Sequence, residues 1–403
     1  MSDFTDFLVK VDDLVWGIPL IVLILAAGIY LTFRLRLLQI VHLPKALKYM
    51  FKNEEDGHGE VSSFGALCTA LSATIGTGNI VGVATAIGCT ALGTAVGGPG
   101  ALFWMRVAAF FGMATKYAEG FLAVRYRTID EEGHVLGGPF YYIENGMGHK
   151  WKWLAKVFSF FGACVGLFGI GTFTQVNGIA SAVQSFFDPN KEDTVSILGT
   201  DYSIAIVITA FALAICVGLV VIGGIKRISS VSQVIVPFMA ILYIVTVLVL
   251  IVTNIEKLPG ALATIVEYAF GVKAVAGGVL SSIAISMQKG IARGIFSNEA
   301  GLGSAPIAAA AAKTKEPVRQ GLVSRTGTFI DTIVICTLTG LSIVLTGAWQ
   351  VPGLEGVDVT TYAFQQGLPF PPQISAFILM LCLVFFAFTT ILGWDYYSER
   401  CLE

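Results

Sequence analysis

A run of glycine and small polar residues interrupts an apolar block early in the chain. The run reads Ser72-Ala73-Thr74-Ile75-Gly76-Thr77-Gly78-Asn79-Ile80-Val81-Gly82. A helix that breaks here leaves backbone N–H groups unpaired beside the positive end of the helix that follows, and such groups bind anions, including carboxylates. The carbonyl groups that end the preceding helix point the other way and suit a hard cation. One break can therefore hold an amino-acid carboxylate and Na⁺ together.

Two other structural roles could explain these glycines. A packing motif between membrane helices also uses small residues, and that alternative stays open on sequence alone. A dinucleotide-binding fingerprint does not fit, because the spacing is G-x-G-x-x-x-G and no βαβ unit surrounds it.

A second irregular run lies between Ser286 and Gly303, inside a block that is otherwise long and apolar enough to span a bilayer. It contains two cations, one acid and four glycines. Irregular backbone at membrane depth is tolerated only against protein or a water-filled cavity, and charges there are costly. We expect Lys289, Arg293 and Glu299 to lie at the inner end of a broken helix. There they would pair with one another or with the polar cap of a gate.

Gln175 lies within the apolar block 157–187 and needs hydrogen-bond partners in hydrocarbon. It either forms a structural bond between helices or faces the central site. Phe173, two residues earlier, is expected to close the pocket.

Asp331 lies in the middle of the apolar block 321–347. A carboxylate at this depth is either a proton or ion site or the partner of a nearby cation. We expect the structural pair, with Arg325 or Arg293 as the partner.

The last apolar block ends in a pair of threonines followed by a tryptophan. The hydroxyls of Thr389 and Thr390 are plausible Na⁺ ligands beside a broken helix. Trp394 is one helical turn beyond Thr390, so the two share a face, and the indole could wall a small side-chain pocket. The alternative is that Trp394 is an interfacial aromatic anchor.

The composition of the whole chain is unusually apolar and poor in charge. Of the 403 residues, 55% are hydrophobic and 13% are charged, whereas soluble proteins average about 45–50% apolar and about 25% charged. A water-soluble monomer would lack the polar residues to cover its surface, so a cytosolic enzyme is excluded. A net charge of −2 gives no basic surface for nucleic acid. Ser286-x-x-Lys289 resembles a serine nucleophile motif but has no companion motif, so the sequence does not indicate an enzyme.

The apolar blocks predict an all-α polytopic membrane protein, because each is longer than the about 9–11 residues of a barrel strand. A shorter stretch at 359–370 predicts a helix that does not span. The nine predicted spans are 14–33, 64–92, 99–124, 157–187, 202–222, 230–253, 274–312, 321–347 and 373–398.

Lysine and arginine are distributed asymmetrically between alternate connections. With the N-terminus outside, the inner side holds 17 of the 25 Lys and Arg residues and the outer side holds 4. This distribution predicts that loops 35–60 and 125–156 are cytoplasmic.

The two irregular runs occupy matching places in the chain. After the extra helix 14–33, one group of spans fills 61–253 and a second fills 274–403, and each begins with an irregular run. The groups enter the membrane from opposite sides, as inverted repeats with discontinuous first helices do. We therefore expect a single transporter domain. The second group has three spans where five are expected, so we expect two further helices to be missing after Glu403.

Several stretches resemble the alanine or glycine:cation symporter family (sodium:alanine symporters) over nearly the whole chain. They are Gly76-Thr77-Gly78-Asn79-Ile80-Val81-Gly82-Val83-Ala84-Thr85-Ala86-Ile87, Gly97-Gly98-Pro99-Gly100-Ala101-Leu102-Phe103-Trp104-Met105, Gly112-Met113-Ala114-Thr115-Lys116-Tyr117-Ala118-Glu119, Ile291-Ala292-Arg293-Gly294-Ile295-Phe296-Ser297-Asn298-Glu299-Ala300-Gly301-Leu302-Gly303-Ser304-Ala305, Phe329-Ile330-Asp331-Thr332 and Thr389-Thr390-Ile391-Leu392-Gly393-Trp394. The resemblance implies a leucine-transporter-like fold of inverted five-helix repeats. It also implies import of small neutral amino acids coupled to Na⁺ or sometimes H⁺.

Carried over residue by residue, the resemblance implies two sets of ligands. The substrate set is Thr77, Gly78, Asn79, Gln175, Met287, Thr390 and Trp394. The Na⁺ set consists of the carbonyls of Ser72 and Ile75 and the hydroxyls of Thr389 and Thr390. The chain departs from the family pattern in a longer stretch at 88–96 and in Arg106, which stands where an aromatic residue is usual.

The function expected from these observations is Na⁺-coupled symport of a small neutral amino acid (L-alanine or glycine, with D-alanine as a further candidate) across a bacterial or archaeal cytoplasmic membrane. No organic cofactor and no nucleic acid are expected, and the lipid bilayer is the other partner. The alternatives are an H⁺-coupled permease and an uncoupled permease or channel. A channel would favour a continuous polar file along several helices, whereas the sequence shows two localised breaks.

Overall fold

The computed structural model describes residues 5–7, 10–11, 15–52, 58–88, 97–131, 134–169, 171–190, 192–197, 199–271 and 279–403, without the side chains of 279–281. Two sequence predictions fall largely outside these ranges. They are the start of the second group at 274 and the extended stretch at 88–96, of which only Gly88 is described.

Helices make up most of the described chain. Up to residue 253 they are α1 Ile18–Arg34, α2 Leu43–Met50, α3 Ser63–Thr74, α4 Val83–Ile87, α5 Gly100–Arg125, α6 Lys152–Phe168, α7 Phe173–Phe187, α8 Ile204–Val221 and α9 Gly224–Thr253. Beyond it they are α10 Leu258–Ala269, α11 Val279–Asn298, α12 Ala305–Ala310, α13 Pro317–Thr328, α14 Thr337–Thr346, α15 Val357–Gly367 and α16 Pro372–Leu402.

Shorter elements connect or interrupt these helices. Single helical turns lie at Leu38–Val41, Pro139–Tyr142, His149–Trp151, Ile255–Lys257 and Ala348–Gln350, and π-helical segments at Gly78–Gly82, Ile143–Met147 and Phe329–Cys336. Two antiparallel hairpins pair β1 Thr128–Ile129 with β2 Val135–Leu136 and β3 Thr194–Ile197 with β4 Thr200–Ser203.

Local sequence sets several helix ends. The Ser62 hydroxyl accepts a hydrogen bond of 2.9 Å from the Gly65 amide and caps α3. Pro317 and Pro372 begin α13 and α16, where a missing N–H costs nothing. Gly347 ends α14 in the left-handed conformation with φ of 73°.

The described helices confirm an all-α polytopic chain. Five stretches are long and apolar enough to cross a membrane, and a sixth is the pair Ser63–Thr74 and Gly78–Ile87, which is bent by 54°. The five are His149–Phe187, Ile204–Val221, Gly224–Thr253, Pro317–Thr346 and Pro372–Leu402.

The other three predicted spans contain α1, α5 and α11, of 17, 26 and 20 residues. Helix α1, with 17 residues, is slightly short for a membrane span. Charged residues make α5 and α11 less apolar than the stretches named above. The predicted short helix at 359–370 is present as α15.

Helix α8 has an apolar and exposed surface. It is apolar on every side and contains no buried residue. Ile208, Phe211 and Ile215 are 64%, 69% and 62% exposed. Such a face is unfavourable in water and suits contact with lipid.

The largest apolar core lies between α9, α15 and α16. Tyr243 packs against Phe364 and Phe386, with ring centroids 6.0 and 5.3 Å apart. The Tyr243 hydroxyl lies 2.6 Å from Thr339 Oγ1, which donates a 2.8 Å hydrogen bond to the Asn79 carbonyl. The core thereby supports the first irregular run.

Candidate functional site

The first irregular run is a break between two helical segments. Helix α3 ends at Thr74, and the next helical segment begins at Gly78. Ile75 between them is extended, with φ of −81° and ψ of 91°. The backbone groups of residues 75–77 therefore lack part of the regular helical pattern and need partners from elsewhere.

Side chains from two other helices satisfy these groups. Thr390 Oγ1 on α16 lies 3.2 Å from the Ile75 carbonyl and 2.9 Å from the Phe386 carbonyl of its own helix, and Gln175 Oε1 on α7 accepts from the Thr77 amide at 3.1 Å. Asn79 Oδ1 accepts from the Gly76 amide at 2.9 Å. Because each of these bonds joins a predicted ligand to the break, the structure brings Ile75, Thr77, Asn79, Gln175 and Thr390 together.

Glycine at position 76 permits this close approach. A Cβ added to Gly76 would lie 2.4 Å from Thr390 Oγ1 and 3.0 Å from Gln175 Oε1. At Gly78 the nearest atoms are those of the Phe296 ring, 3.9 Å away. The two glycines therefore differ: only the first is required for packing against α7 and α16.

The other two predicted cation ligands, the Ser72 carbonyl and the Thr389 hydroxyl, belong to buried residues whose hydroxyls bond within their own helices. The Ser72 hydroxyl donates to the Thr69 carbonyl at 2.7 Å. The Thr389 hydroxyl lies 3.1 Å from the carbonyls of Phe385 and Phe386. Among the predicted Na⁺ ligands, the hydrogen bonds of the described residues directly join Ile75 and Thr390.

Trp394 is buried one turn beyond Thr390 and packs edge-on against Tyr397, with centroids 5.4 Å apart. It lines a cavity of about 540 Å³ whose walls are mostly apolar and aromatic. Glu299 and Ser304 are polar residues on the wall formed by the second irregular run. A cavity of this size accommodates a small molecule.

Two predicted pocket residues lie away from this cluster. Phe173 is 64% exposed and Met287 is 37% exposed. Phe173 and the buried Gln175 are two positions apart on α7, so their side chains leave the helix about 200° apart. The structure therefore does not place Phe173 on the face of α7 that meets the break.

The second irregular run is also a break. Helix α11 ends at Asn298 and α12 begins at Ala305. Glu299, Gly301 and Gly303 between them have φ of 55°, 93° and 80°. Left-handed conformations are easy for glycine and costly for glutamate, so strain is concentrated at Glu299.

The charges of this run do not pair as the sequence predicted. The Glu299 carboxylate accepts from the Ser304 hydroxyl at 2.5 Å, and the Arg293 guanidinium lies over the Phe296 ring at 5.1 Å. Among the described residues, no ion pair joins Lys289, Arg293 and Glu299. The predicted pairing of these residues with one another was wrong, because charge and spacing alone do not fix which way each side chain leaves the helix.

Asp331 joins the two breaks. Its carboxylate is fully buried and accepts from Asn79 Nδ2 at 2.6 Å, Ser297 Oγ at 2.8 Å and Thr332 Oγ1 at 2.6 Å. Asn79 belongs to the first break and Ser297 precedes the second. The predicted substrate and cation ligands include neither Asp331 nor Ser297, although the acid in an apolar block was a visible signal.

The predicted ion pair of Asp331 was also wrong. The Arg325 guanidinium donates to the Leu38 carbonyl, and Arg293 packs on an aromatic ring. Neutral donors surround the carboxylate instead. A buried acid can be stabilised by several hydrogen bonds when no cation is in contact with it.

The site can therefore offer two kinds of contact. The Ile75 carbonyl and the Thr390 hydroxyl supply uncharged oxygens, which are ligands that a hard alkali cation accepts. The Thr77 amide donates to an oxygen acceptor, which is the role a carboxylate oxygen would take. The geometry fits a cation and an anionic group side by side.

Comparisons with known proteins identify the class of molecule. Residues 1–403 match the model of the sodium:alanine symporter family. The sodium/alanine symporter AgcS of Methanococcus maripaludis is 47% identical over 408 residues, covering 100% of this chain and 83% of that protein. The probable sodium/glutamine symporter GlnT of Bacillus subtilis is 39% identical over 391 residues, covering 96% and 75%. The chain is a transporter, and it belongs to the sodium:alanine symporter family.

Proposed function

We propose that the chain imports a small neutral amino acid together with Na⁺, and that both bind at the first break. The observation that carries the proposal is the pair of contacts there. Thr390 Oγ1 meets the Ile75 carbonyl at 3.2 Å, and Gln175 Oε1 meets the Thr77 amide at 3.1 Å. The first contact brings together two oxygen atoms that could bind a cation. The second identifies the Thr77 amide as a hydrogen-bond donor for a carboxylate.

Na⁺ would bind between α3 and α16. The carbonyl of Ile75 and the hydroxyl of Thr390 form the core of the site, and the carbonyl of Ser72 and the hydroxyl of Thr389 complete it after small rotations. All four residues are at most 2% exposed. Because the ligands come from the end of α3 and from α16, Na⁺ would hold these two helices together.

The substrate carboxylate would bind to the amides of Thr77 and Gly78. Gln175 Oε1 now accepts the Thr77 N–H, so the carboxamide oxygen stands where a carboxylate oxygen would stand. Substrate binding would turn Gln175, whose amide group can then donate to the same carboxylate. Asn79 would support the break through the Gly76 amide.

Side-chain size would be limited by Trp394. The indole lines the cavity of about 540 Å³, so a substrate side chain that enters this cavity would meet an aromatic wall. Alanine and glycine fit such a restriction, and D-alanine is a further candidate. The relatives are named for alanine and for glutamine, which supports a neutral amino acid as the substrate class.

Coupling would follow from the shared break. Na⁺ bound to the Ile75 carbonyl orders the same backbone that binds the carboxylate at Thr77. Each ligand should therefore tighten binding of the other by the same factor. Asp331 connects this break to the second one, so binding at the first break can bias both discontinuous helices as the inverted repeats rock.

The lysine and arginine asymmetry supports an orientation with the N-terminus outside and loops 35–60 and 125–156 in the cytoplasm. The membrane would be the cytoplasmic membrane of a bacterium or archaeon. Single-cysteine labelling with a membrane-impermeant maleimide tests the orientation. Glu131→Cys in intact cells should stay unlabelled, and Asp201→Cys on the opposite side should be labelled.

Uptake into proteoliposomes tests the function. Labelled L-alanine should accumulate with an inward Na⁺ gradient and should not accumulate when choline replaces Na⁺. Excess glycine and L-alanine should compete, and lysine and glutamate should not. Accumulation driven by a pH gradient in the absence of Na⁺ would instead support H⁺ coupling, and equilibration without accumulation would support a uniporter or channel.

A further inference from the structure

The second break leaves helical backbone groups without their usual partners. Helix α11 ends at Asn298, and its last carbonyls have no following N–H groups in the helical pattern. The amides of residues 300–303 lie in irregular backbone. Buried polar groups of this kind need partners from other elements.

Two charged side chains of α5 supply these partners. Lys116 Nζ donates to the Asn298 carbonyl at 2.7 Å. Glu119 Oε1 accepts from the amides of Gly301 and Gly303, each at 3.1 Å. Lys116 and Glu119 are three residues apart, so they project from the same face of α5.

Each charge suits the group it meets. The carboxyl end of a helix is partly negative and favours a cation, whereas free amides favour an anion. Lys116 is 3% exposed and Glu119 is 7% exposed. Burying two charges is expensive unless each has partners, and here the partners are the groups released by the break.

Lys116 and Glu119 act on opposite sides of the break. Lys116 contacts the end of α11, and Glu119 contacts the glycines that lead into α12. Lys116 and Glu119 lie about one turn apart on α5, so this one helix contacts both halves of the break. Gly112, on the same helix, allows the close approach, because a Cβ there would lie 3.1 Å from Ala300 Cβ.

The Glu119 carboxylate has a second oxygen that is not needed to bond the two glycine amides. Its second oxygen, Oε2, is buried and has no hydrogen-bond partner among the described residues. A buried acceptor without a donor costs stability. Glu119 Oε2 can therefore accept a hydrogen bond when the glycine amides take up another arrangement.

We propose that Lys116 and Glu119 are positioning residues for transport, which hold the second break in the geometry that the substrate and cation site requires. They act through Ser297 and Asn298. Ser297 donates to Asp331 at 2.8 Å, and Asn298 Nδ2 donates to Thr332 at 3.0 Å. The proposal rests on the function proposed above and extends it to α5.

The test compares variants that remove a charge with variants that keep the hydrogen-bonding group. Lys116→Met and Glu119→Met keep the length of the side chain but lose the donor or the acceptor. Lys116→Arg keeps a donor, and Glu119→Gln keeps the Oε1 acceptor. Arg106→Met removes an exposed cation from the same helix and serves as the matched control.

The readouts are Na⁺-dependent alanine binding to detergent-purified protein and turnover in proteoliposomes. We expect the two methionine variants to lose about 10-fold or more in alanine affinity or turnover. Lys116→Arg, Glu119→Gln and Arg106→Met should stay within about threefold of the parent protein. The double variant Lys116→Met/Glu119→Met should be less than additive, because both side chains hold one break.

Two outcomes would overturn the proposal. The first is that both methionine variants bind and transport like the parent. The second is that Lys116→Arg and Glu119→Gln fail as completely as the methionine variants, since donor and acceptor would then not be what matters. If the parent itself binds no alanine in Na⁺, the proposed function fails, and this result is distinct from both.

Discussion

Adding one methyl group at Gly76 is a direct test of how the first break is packed. The new Cβ of Gly76→Ala would lie 2.4 Å from Thr390 Oγ1, whereas ordinary contacts begin at 3.4 Å. The Thr390 hydroxyl must therefore retreat by about 1 Å, or α16 must move as a whole. The φ of Gly76 does not lie in the left-handed region, so the substitution acts through space and not through backbone strain.

A retreat of about 1 Å removes Thr390 from the proposed cation site. The hydroxyl now lies 3.2 Å from the Ile75 carbonyl. Metal–oxygen distances vary by only about 0.2 Å within a working site, so a ligand displaced this far no longer coordinates. We expect Na⁺ affinity to fall about 10-fold or more, which corresponds to about 1.4 kcal/mol.

The assay is a Na⁺ titration of labelled L-alanine binding to purified protein. Gly218→Ala on α8 is the control, because its Cβ would have no neighbour within 4 Å and α8 takes no part in the proposed site. The control should change the Na⁺ midpoint by less than about threefold. Thr390→Ala should weaken Na⁺ binding by itself, because it removes the hydroxyl.

The double variant Gly76→Ala/Thr390→Ala separates a clash from a general defect. Without Thr390 Oγ1 the nearest atom to the new methyl group is Gln175 Oε1 at 3.0 Å, so most of the clash disappears. The double variant should therefore be little worse than Thr390→Ala alone. A normal Na⁺ midpoint in Gly76→Ala, or fully additive losses in the double variant, would show that the new methyl group does not act by displacing the Thr390 hydroxyl.

Three further predictions concern the contacts around the same site. Gln175→Ala should raise the KM for alanine uptake several-fold with little change in Na⁺ midpoint, because it removes the acceptor at the Thr77 amide; equal shifts of both would place Gln175 in the cation site instead. Asp331→Asn should lower uptake about 10-fold, equivalent to about 1.4 kcal/mol, because an amide cannot accept from three donors, and normal uptake would show that the link between the breaks is dispensable. Trp394→Ala should let leucine compete with labelled alanine, since the indole walls the cavity, and unchanged selectivity would assign Trp394 to packing alone.

The first break was predictable because its residues are chemically out of place. Glycines and hydroxyl groups in an apolar block favour a break over a continuous helix, and the structure puts one between Thr74 and Gly78. Gln175 and Thr390 were predicted to meet it, and both do. These residues stand out because each is polar in an apolar helix, whichever way the helices pack.

Partner choice was less predictable, because it depends on helix rotation and on contacts distant in sequence. Asp331 was expected to pair with an arginine, yet it bonds to Asn79, which is 252 positions away. Phe173 and Met287 were expected in the pocket, and the orientation of their helices leaves both exposed. Composition locates polar residues in the chain, but only packing decides which of them meet.

Na⁺ and the amino acid share the first break in the proposed mechanism. The effect of each ligand on the affinity for the other tests this sharing most directly. Alanine affinity would be titrated at zero, low and saturating Na⁺, and Na⁺ affinity with and without saturating alanine. If both ligands bind at the first break, each should tighten binding of the other by one common factor of about 10-fold or more. An alanine affinity that is the same in Na⁺ and in choline would contradict it.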